Sequence, residues 1–354
     1  MYKLIRPLLF GISKDPETVH NLALSFLRLG GVFPIPSAIK FFTKVDDEIL
    51  KQKVFGLEFK NPVGLAAGFE KDGKGLPGLE ALGFGFVELG GYTKLPQPGN
   101  PRQRIFRLAK DFGLINRMGF PNFGADEAAK NLSKVKNLSM PLGINLAKSK
   151  ITPNEHAVED YLYSFSKLYD YADYFVINVS SPNTPGLRKL QSKEFLTGII
   201  SAVVGYRDRQ TVKKPILIKT VIDFSFAEVD ELLGVCENYN IAGIVCTNTS
   251  TSREGLKTQI NEMGGLSGMP VKQKATELIR YIHKANPKLV IIGLGGIFTV
   301  EDAYEKIKAG ASLVQIFTGF IYEGPFVVKK INQGLARLLK RDGFKNISEA
   351  VGKE

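Results

Sequence analysis

The chain has 354 residues, 44% of them hydrophobic, which is enough for one large domain or two ordinary ones with a sizeable core. Its 47 Lys and Arg against 35 Asp and Glu give a net charge of +12, which favours acidic or phosphorylated ligands or an anionic membrane surface. Nucleic acid is disfavoured because the sequence has no basic block and no aromatic RNA-binding motif. Cys236 and Cys246 match no metal or redox motif, so we expect two buried thiols, a reducing compartment and no metal.

The first 45 residues (1–45) are predicted to form a separate helical unit ahead of a catalytic domain at 46–354. Asp15 begins one helix as its N-cap, and a second apolar segment contains Phe41 and Phe42. Such helices either cap the core or dock on a membrane surface, and composition alone leaves both open. The N-terminus lacks a signal-peptide pattern, and no stretch reaches the roughly 18 apolar residues of a spanning helix, so we expect a cytoplasmic protein.

From residue 61 onward, short apolar runs alternate with longer amphipathic segments, which predicts repeated strand and helix units around a parallel sheet. The eight strand candidates are 61–68, 84–91, 140–147, 174–181, 215–220, 242–249, 289–296 and 312–319. Eight such units favour a closed (β/α)8 TIM barrel over a doubly wound sheet. In that fold the active site lies at the C-terminal ends of the strands.

Two segments fall outside the repeat. Residues 53–60 alternate as a short hairpin would, and we expect them to close the bottom of the barrel. Residues 95–122 form a long insertion after the second strand candidate, and long insertions above a catalytic face often cover it.

Small polar residues follow the apolar run at 174–177, which is a poor choice for packing alone and indicates a site. Asparagines recur at the other strand ends and in the insertion, and an amide-lined pocket suits a planar amide or imide ligand. These asparagines are Asn116, Asn145, Asn178, Asn183 and Asn248. Lys219 ends the fifth strand candidate and must face a negative partner or lose its charge.

Glycine-rich segments end the last two strand candidates, at 293–298 and 315–320, and a third glycine loop lies at 264–268. In barrels these positions commonly bind a phosphate through backbone N–H groups. The pattern alone does not choose between a flavin mononucleotide and a sugar phosphate. None of the three histidines falls in a strand-end motif, so Ser181 lacks a histidine base and hydrolysis is disfavoured.

These motifs together resemble the membrane-associated, quinone-linked class of dihydroorotate dehydrogenase, from about residue 1 to residue 340. The segments that carry the resemblance are DPETVH at 15–20, INRMGF at 115–120, NVSSPNTPGLR at 178–188 and GASLVQIFTGFIYEGP at 310–325. The resemblance implies an FMN-dependent oxidoreductase that oxidises dihydroorotate to orotate in pyrimidine biosynthesis. It also implies a quinone acceptor.

By this resemblance Ser181 is the catalytic base, at a position where the soluble class has a cysteine. The implied substrate-binding residues are Lys71, Asn116, Arg117, Met118, Gly119, Phe120, Asn178, Asn183, Asn248 and Thr249. The implied FMN-binding residues are Ala67, Gly68, Lys71, Gly91, Asn145, Asn178, Lys219, Thr247, Gly268, Gly296, Phe317 and Thr318. His20 and Arg107 would be the polar contacts of a quinone tunnel formed by the N-terminal helices.

The resemblance further implies a monomer held peripherally on the cytoplasmic face of the cell inner membrane. Three residues depart from the family pattern: Gly91 replaces a Ser or Thr beside the flavin, Phe317 a common Tyr, and Glu70 an Asp. The first two changes each remove a hydrogen bond of about 0.5–1.5 kcal/mol, so we expect weaker flavin or quinone contacts.

Two alternatives from other functional classes remain. One is a non-redox, phosphate-binding lyase or aldolase that uses Lys71 or Lys219 as a Schiff-base amine. The other is a catalytically inactive protein that binds a membrane surface.

Overall fold

The chain folds around a closed barrel of eight parallel strands, which confirms the predicted (β/α)8 architecture. The structure is a computed structural model, and it describes residues 2–13, 15–29, 35–184 and 186–354. All eight strand candidates supply a barrel strand. The hydrogen-bonded order around the barrel follows the order of those strands along the chain, and the last strand closes on the first.

The strands are β1 Gln52–Val54, β2 Leu57–Phe59, β3 Val63–Leu65, β4 Phe86–Tyr92, β5 Ile105–Leu108, β6 Gly113–Asn116, β7 Leu142–Leu146, β8 Tyr174–Ile177, β9 Ile216–Lys219, β10 Gly243–Cys246, β11 Gly265–Gly268, β12 Val290–Leu294 and β13 Leu313–Ile316. The helices are α1 Tyr2–Ile12, α2 Pro16–Leu29, α3 Ile35–Thr43, α4 Leu76–Ala81, α5 Gly124–Leu132, α6 Ala157–Leu168, α7 Lys193–Asp208, α8 Phe226–Asn238, α9 Lys272–Ala285, α10 Val300–Lys308, α11 Thr318–Glu323 and α12 Val327–Arg341. The barrel consists of β3, β4, β7, β8, β9, β10, β12 and β13.

Local sequence signals set several helix starts. Ser225 accepts a hydrogen bond from the backbone N–H of Glu228, whose carboxylate accepts one from Ser225 in return, and this capping box begins α8. Thr299 and Asp302 make the same reciprocal pair at the start of α10. Each box satisfies backbone donors that have no partner inside the helix, so these helices begin at defined residues.

The lower half of the barrel interior is packed with large side chains. Phe86 and Tyr174 point inward there, and the β1–β2 hairpin adds Val54 and Phe59 to the same apolar cluster. Gly64 lies so close to the Phe86 ring that a Cβ there would be 2.3 Å from it. The hairpin therefore closes the bottom of the barrel, as the alternation at 53–60 predicted.

A three-stranded antiparallel sheet lies at the opposite end of the barrel. Strands β5 and β6 come from the 95–122 insertion, and β11 pairs with β6. The segment 264–268 was predicted to be a glycine loop, and that prediction is wrong for 265–268, which form β11. Backbone pairing with the insertion, a long-range contact that local composition does not reveal, extends these glycines into a strand.

The N-terminal region contains one more helix than the sequence predicted. The helix that begins after Asp15 is α2, and the apolar segment around Phe41 and Phe42 is part of α3, but no helix was predicted where α1 lies. Tertiary contacts hold α1, because the Tyr2 hydroxyl donates to the Ile321 carbonyl at 2.7 Å. Within the described ranges, no helix is long and apolar enough to span a membrane.

Candidate active site

Inward-facing side chains change from apolar to polar near the C-terminal ends of the barrel strands. Because side chains alternate along a strand, the position two residues after an inward apolar residue also faces inward. Thus Phe86 is followed by Glu88 on β4, and Leu217 by Lys219 on β9. The polar layer contains Glu88, Asn145, Asn178, Lys219, Thr247 and Gln315.

Glu88 is the hub of this layer and is fully buried. Its carboxylate accepts hydrogen bonds of 2.7 Å from the side-chain amides of Asn145 and Gln315, and it lies 3.6 Å from the Lys219 ammonium. The negative partner expected for Lys219 is therefore present. Sequence reasoning missed Glu88 and Gln315, although an isolated Glu inside the apolar run FGFVELGG was the available signal.

A chain of amides continues from this hub across three strand ends. The Asn178 amide donates to the Asn145 side-chain oxygen at 2.9 Å. Asn248 donates to the Asn178 side-chain oxygen at 3.3 Å and to the Ser180 hydroxyl at 2.8 Å. Each amide is oriented by its neighbour, so the donors and acceptors left toward the cavity have fixed directions.

Ser181 follows this network on the loop after β8 and is 7% exposed. Its Oγ accepts a hydrogen bond from the backbone N–H of Asn183 at 3.2 Å. The Asn183 side chain donates to the Asn116 side-chain oxygen at 3.2 Å, which ties the loop to the insertion. The structure thus brings Ser181 and Asn183, on one loop, together with Asn116 from the distant insertion.

Lys71 lies on a loop after β3 that is shaped by the neighbouring carboxylate. Glu70 accepts hydrogen bonds from the backbone N–H groups of Lys71, Asp72 and Gly73 through one oxygen, and from Gly75 through the other. Burial lowers the pKa of the Lys71 ammonium. An anionic ligand beside Lys71 would restore the preference for its charged form.

One cavity of about 610 Å³ collects these residues. Almost every site residue predicted from the sequence lines it: His20, Ala67, Gly68, Lys71, Gly91, Arg107, Asn116, Met118, Gly119, Phe120, Asn145, Asn178, Ser181, Asn183, Lys219, Thr247, Asn248, Thr249, Gly268, Gly296, Phe317 and Thr318. Arg117 is the predicted site residue that does not line the cavity. Its guanidinium pairs with Glu262 and stacks on the Phe106 ring, so its side chain is not brought together with the others.

Glycines and small polar groups line one side of the cavity. Gly268, Gly295 and Gly296 expose backbone there, and the Thr318 hydroxyl lies 2.9 Å from that of Ser267. The side-chain oxygen of Gln315 is buried and has no hydrogen-bond partner in the described structure. Buried acceptors are rarely left unpaired, so this oxygen marks a place for a ligand donor.

The three departures from the family pattern have structural consequences. A Cβ at Gly91 would lie 3.0 Å from the Asn145 side-chain oxygen and from the Phe120 ring, so the close packing favours glycine. Phe317 packs edge-on against Phe69 at the cavity wall. Glu70, as described, uses its carboxylate to hold the Lys71 loop.

The other end of the cavity is apolar and is formed by the N-terminal helices. It is lined there mainly by Val19, Leu22, Ala23, Phe26, Leu27 and Ile39. His20 packs edge-on against Phe69, and burial lowers its pKa to about 3, so the imidazole is neutral. Arg107 donates to the carbonyls of Phe10 and Ser13, at 3.0 and 3.2 Å, and stacks on the Phe10 ring.

Comparisons with known proteins agree on one family. The model of the dihydroorotate dehydrogenase family matches residues 49–339. A curated relative from Christiangramia forsetii, named dihydroorotate dehydrogenase (quinone), is 51% identical over 337 residues, covering 94% of this chain and 98% of the relative. A relative of the same name from Nostoc punctiforme is 47% identical, and the match covers 100% of this chain and 98% of the relative. The crystal structure of DHODH from Eimeria tenella in complex with ferulenol superimposes with a TM-score of 0.89 at 35% identity, covering 98% of each chain.

Proposed function

Because the chain belongs to the dihydroorotate dehydrogenase family, we propose that it oxidises (S)-dihydroorotate to orotate in de novo pyrimidine biosynthesis and delivers the electrons through FMN to a quinone. The observation that carries this proposal is a single cavity with two different ends. One end presents oriented amides, Lys71 and Ser181, and the other presents apolar side chains of the N-terminal helices. A polar acid and an apolar quinone can thus reach one cofactor from different sides.

The described residues fit FMN. Its phosphate would be held by the backbone of Gly268 and Gly296 with the Thr318 hydroxyl, and its ring by Ala67, Gly68 and Gly91, where little or no side chain intervenes. The remaining ring contacts would be Asn145, Asn178, Lys219, Thr247 and Phe317. The unpaired Gln315 oxygen supports a bound donor at this place. When bound, FMN supplies the two-electron chemistry, accepting a hydride from the substrate and passing electrons to the quinone.

Lys219 and Glu88 set the charge next to that cofactor. Lys219 is 5% exposed and its partner Glu88 is fully buried, so their 3.6 Å ion pair lies in a place largely shielded from water. A fixed positive group there stabilises negative charge that develops nearby. The ion pair also disfavours a Schiff-base role, because a lysine nucleophile must be neutral.

Ser181 is the proposed base that removes the substrate proton. Among the described residues, no histidine is hydrogen-bonded to its hydroxyl, so its basicity depends on the surrounding donors. Oγ would accept the substrate proton after releasing its own proton to solvent, and the Asn183 N–H that donates to Oγ would stabilise the negative charge of that deprotonated form. Because Ser181 is only 7% exposed, water competes little with this interaction.

The remaining polar residues would position dihydroorotate. Lys71 would pair with the substrate carboxylate, while the amides of Asn116, Asn178, Asn183 and Asn248 would bind its imide edge. Backbone and apolar contacts of Met118, Gly119, Phe120 and Thr249 would complete the pocket. Arg117 would act only through its backbone, since its side chain pairs with Glu262.

The helical unit at 1–45 would bring the quinone to the cofactor. Neutral His20 and the cation of Arg107 are the polar groups that could bind quinone oxygens in an otherwise apolar passage. Exposed apolar side chains on these helices, such as Leu4, Leu8, Phe26 and Phe41, support peripheral docking on a membrane. We place this docking on the cytoplasmic face of the inner membrane, with the protein as a monomer and residues 46–354 as its catalytic domain.

Anaerobic spectroscopy of the purified protein tests the proposed function. The protein should be yellow, should bleach on addition of dihydroorotate, and should regain its colour on addition of a quinone. Colourless protein that borohydride traps onto a carbonyl substrate would support the aldolase alternative. Membrane binding without a chromophore would support the inactive scaffold.

A further inference from the structure

A buried ion pair joins the N-terminal helical unit to the insertion over the barrel. Glu17 lies in the first turn of α2 and is 6% exposed, and Arg104 precedes β5 and is 7% exposed. The guanidinium makes a bidentate contact, with Nε 2.9 Å and Nη2 2.7 Å from the two carboxylate oxygens. The bonded Arg104 guanidinium is the main cause of a lowered Glu17 pKa. Loss of Glu17 would leave the buried Arg104 guanidinium without its counter-ion.

The same guanidinium fixes the backbone of the segment 97–104. Its Nη1 donates to the carbonyls of Pro98 and Asn100, at 2.7 and 2.8 Å. The residue between these two carbonyls must be glycine, because a Cβ at Gly99 would lie 2.6 Å from Nη1 of Arg104. The pair with Glu17 thus determines where Asn100 is presented.

Asn100 in turn holds two walls of the proposed substrate pocket. Its side-chain amide donates to the Arg117 and Asn183 carbonyls, both at 3.0 Å, and its backbone N–H donates to the Met118 carbonyl at 2.9 Å. Asn183 carries the N–H that donates to the Ser181 hydroxyl. The route from α2 to the reacting hydroxyl therefore consists of direct contacts.

We propose that Glu17 is a positioning residue for the dihydroorotate half of the reaction, acting through Arg104 and Asn100 on the pocket wall and the Ser181 loop. The helical unit is then more than a passage for quinone, because it supplies the counter-ion that keeps the substrate pocket in shape. This inference rests on the proposed function, since it assumes that dihydroorotate binds beside Ser181. It also implies that deletion of residues 1–45 impairs dihydroorotate oxidation even with a small soluble acceptor.

The test uses the full-length flavoprotein with three single substitutions. The measurements are the KM for dihydroorotate with a soluble dye as acceptor, the Kd for orotate, and the KM for quinone. Glu17→Gln should raise the KM for dihydroorotate and the Kd for orotate at least about tenfold, because small displacements of positioning groups have large effects. Arg102→Gln is the matched control: Arg102 also contacts Glu17, at 3.4 Å, but is 55% exposed, so its loss should change either value by less than about twofold.

Asn100→Ala separates positioning from charge. Glu17 is close enough to Lys71 for its charge to favour the protonated ammonium, whereas Asn100→Ala changes no charge. This variant should raise the same two constants by about three- to tenfold, the effect expected for losing hydrogen bonds that position the pocket. It also remains informative if Glu17→Gln fails to fold.

The proposal is overturned if Asn100→Ala leaves both constants within about twofold of the parent protein, an effect no larger than that of an exposed ion pair. It is equally overturned if the substitutions change only the KM for quinone or only the melting temperature. A parent protein that is not bleached by dihydroorotate would instead overturn the proposed function itself.

Discussion

The two ends of the cavity are built in opposite ways. At the barrel end, polar side chains hold one another in a continuous network that runs from Glu88 through Asn145 and Asn178 to Asn248. At the helical end, the lining is mainly apolar and comes largely from α2, and His20 and Arg107 are polar groups within it. Hydrogen bonds thus fix the direction of each group at one end, whereas non-directional apolar contacts form the other.

This difference matches what each half of the reaction requires. Removing a proton and a hydride from adjacent carbons needs donors and acceptors in fixed positions. Accepting electrons from a cofactor edge needs only access and an apolar surface for a hydrophobic ring. Changes at the barrel end should therefore affect rate and stability strongly, and changes to the apolar lining of the helical end should mainly affect the acceptor.

The largest effect is expected for Ser181→Ala. Removal of the proposed base should slow flavin bleaching by dihydroorotate about 10²- to 10⁴-fold at neutral pH, the usual range for general-base catalysis, while the protein remains yellow. Stopped-flow absorbance measures this step alone. Ser164→Ala is the control: Ser164 lies on α6, its buried hydroxyl has no hydrogen-bond partner in the described part of the chain, and the variant should bleach at the parent rate. An unchanged rate in Ser181→Ala would remove Ser181 from its role.

Glu88→Gln should have the next largest effect, on stability. The substitution leaves the Lys219 ammonium buried without its counter-ion, so the free energy of unfolding should fall by roughly 3 kcal/mol. Urea unfolding of the flavin-free protein measures this change. Adding Lys219→Met removes the unpaired charge and should recover part of the loss. If the double variant is no more stable than Glu88→Gln, the ion pair is not the cause.

A smaller effect concerns the pH dependence of substrate binding. Burial lowers the pKa of Lys71, and an anionic substrate binds its protonated form, so the KM for dihydroorotate should be lowest below that pKa. Above it the KM should rise by about tenfold per pH unit, beginning at a lower pH than an ordinary lysine would give. Lys71→Met should abolish this rise, whereas Lys74→Met, on the exposed part of the same loop, should retain it. A parent profile that stays flat up to the ordinary lysine range would contradict the assignment.

The smallest effect is expected at the helical end. Val19→Trp adds bulk to the apolar passage and should raise the KM for quinone by several-fold, roughly 1 kcal/mol of lost or strained contact. Flavin bleaching by dihydroorotate should not change. If the substitution slowed bleaching while leaving the KM for quinone unaltered, the assignment of the two ends would be reversed.

The sequence predicted the barrel because its signal is local and repeated: an apolar run, a polar strand end and an amphipathic helix. The same periodicity placed Asn145, Asn178 and Lys219 at the same end of the barrel. It could not find the roles of Glu88 and Gln315, because a single polar residue within an apolar run does not reveal which partners face it across a barrel.

Long-range pairing explains the other differences. Strand β11 forms because the insertion pairs with it, and α1 is held by contacts with residues more than 300 positions away. Glu17 reads in sequence as an ordinary acidic residue in the first turn of a helix, and only the fold shows that it faces Arg104. Arg117 lies within a recognisable motif, yet pairing with Glu262 takes its side chain out of the cavity.

A crystal structure of the purified protein soaked with orotate tests the central claim most directly. Orotate should lie at the polar end of the cavity, with its carboxylate beside Lys71, its imide edge against the asparagine amides, and the Ser181 hydroxyl facing its ring beside the flavin. Orotate at the apolar end, or a Ser181 hydroxyl directed away from the bound ring, would contradict the account.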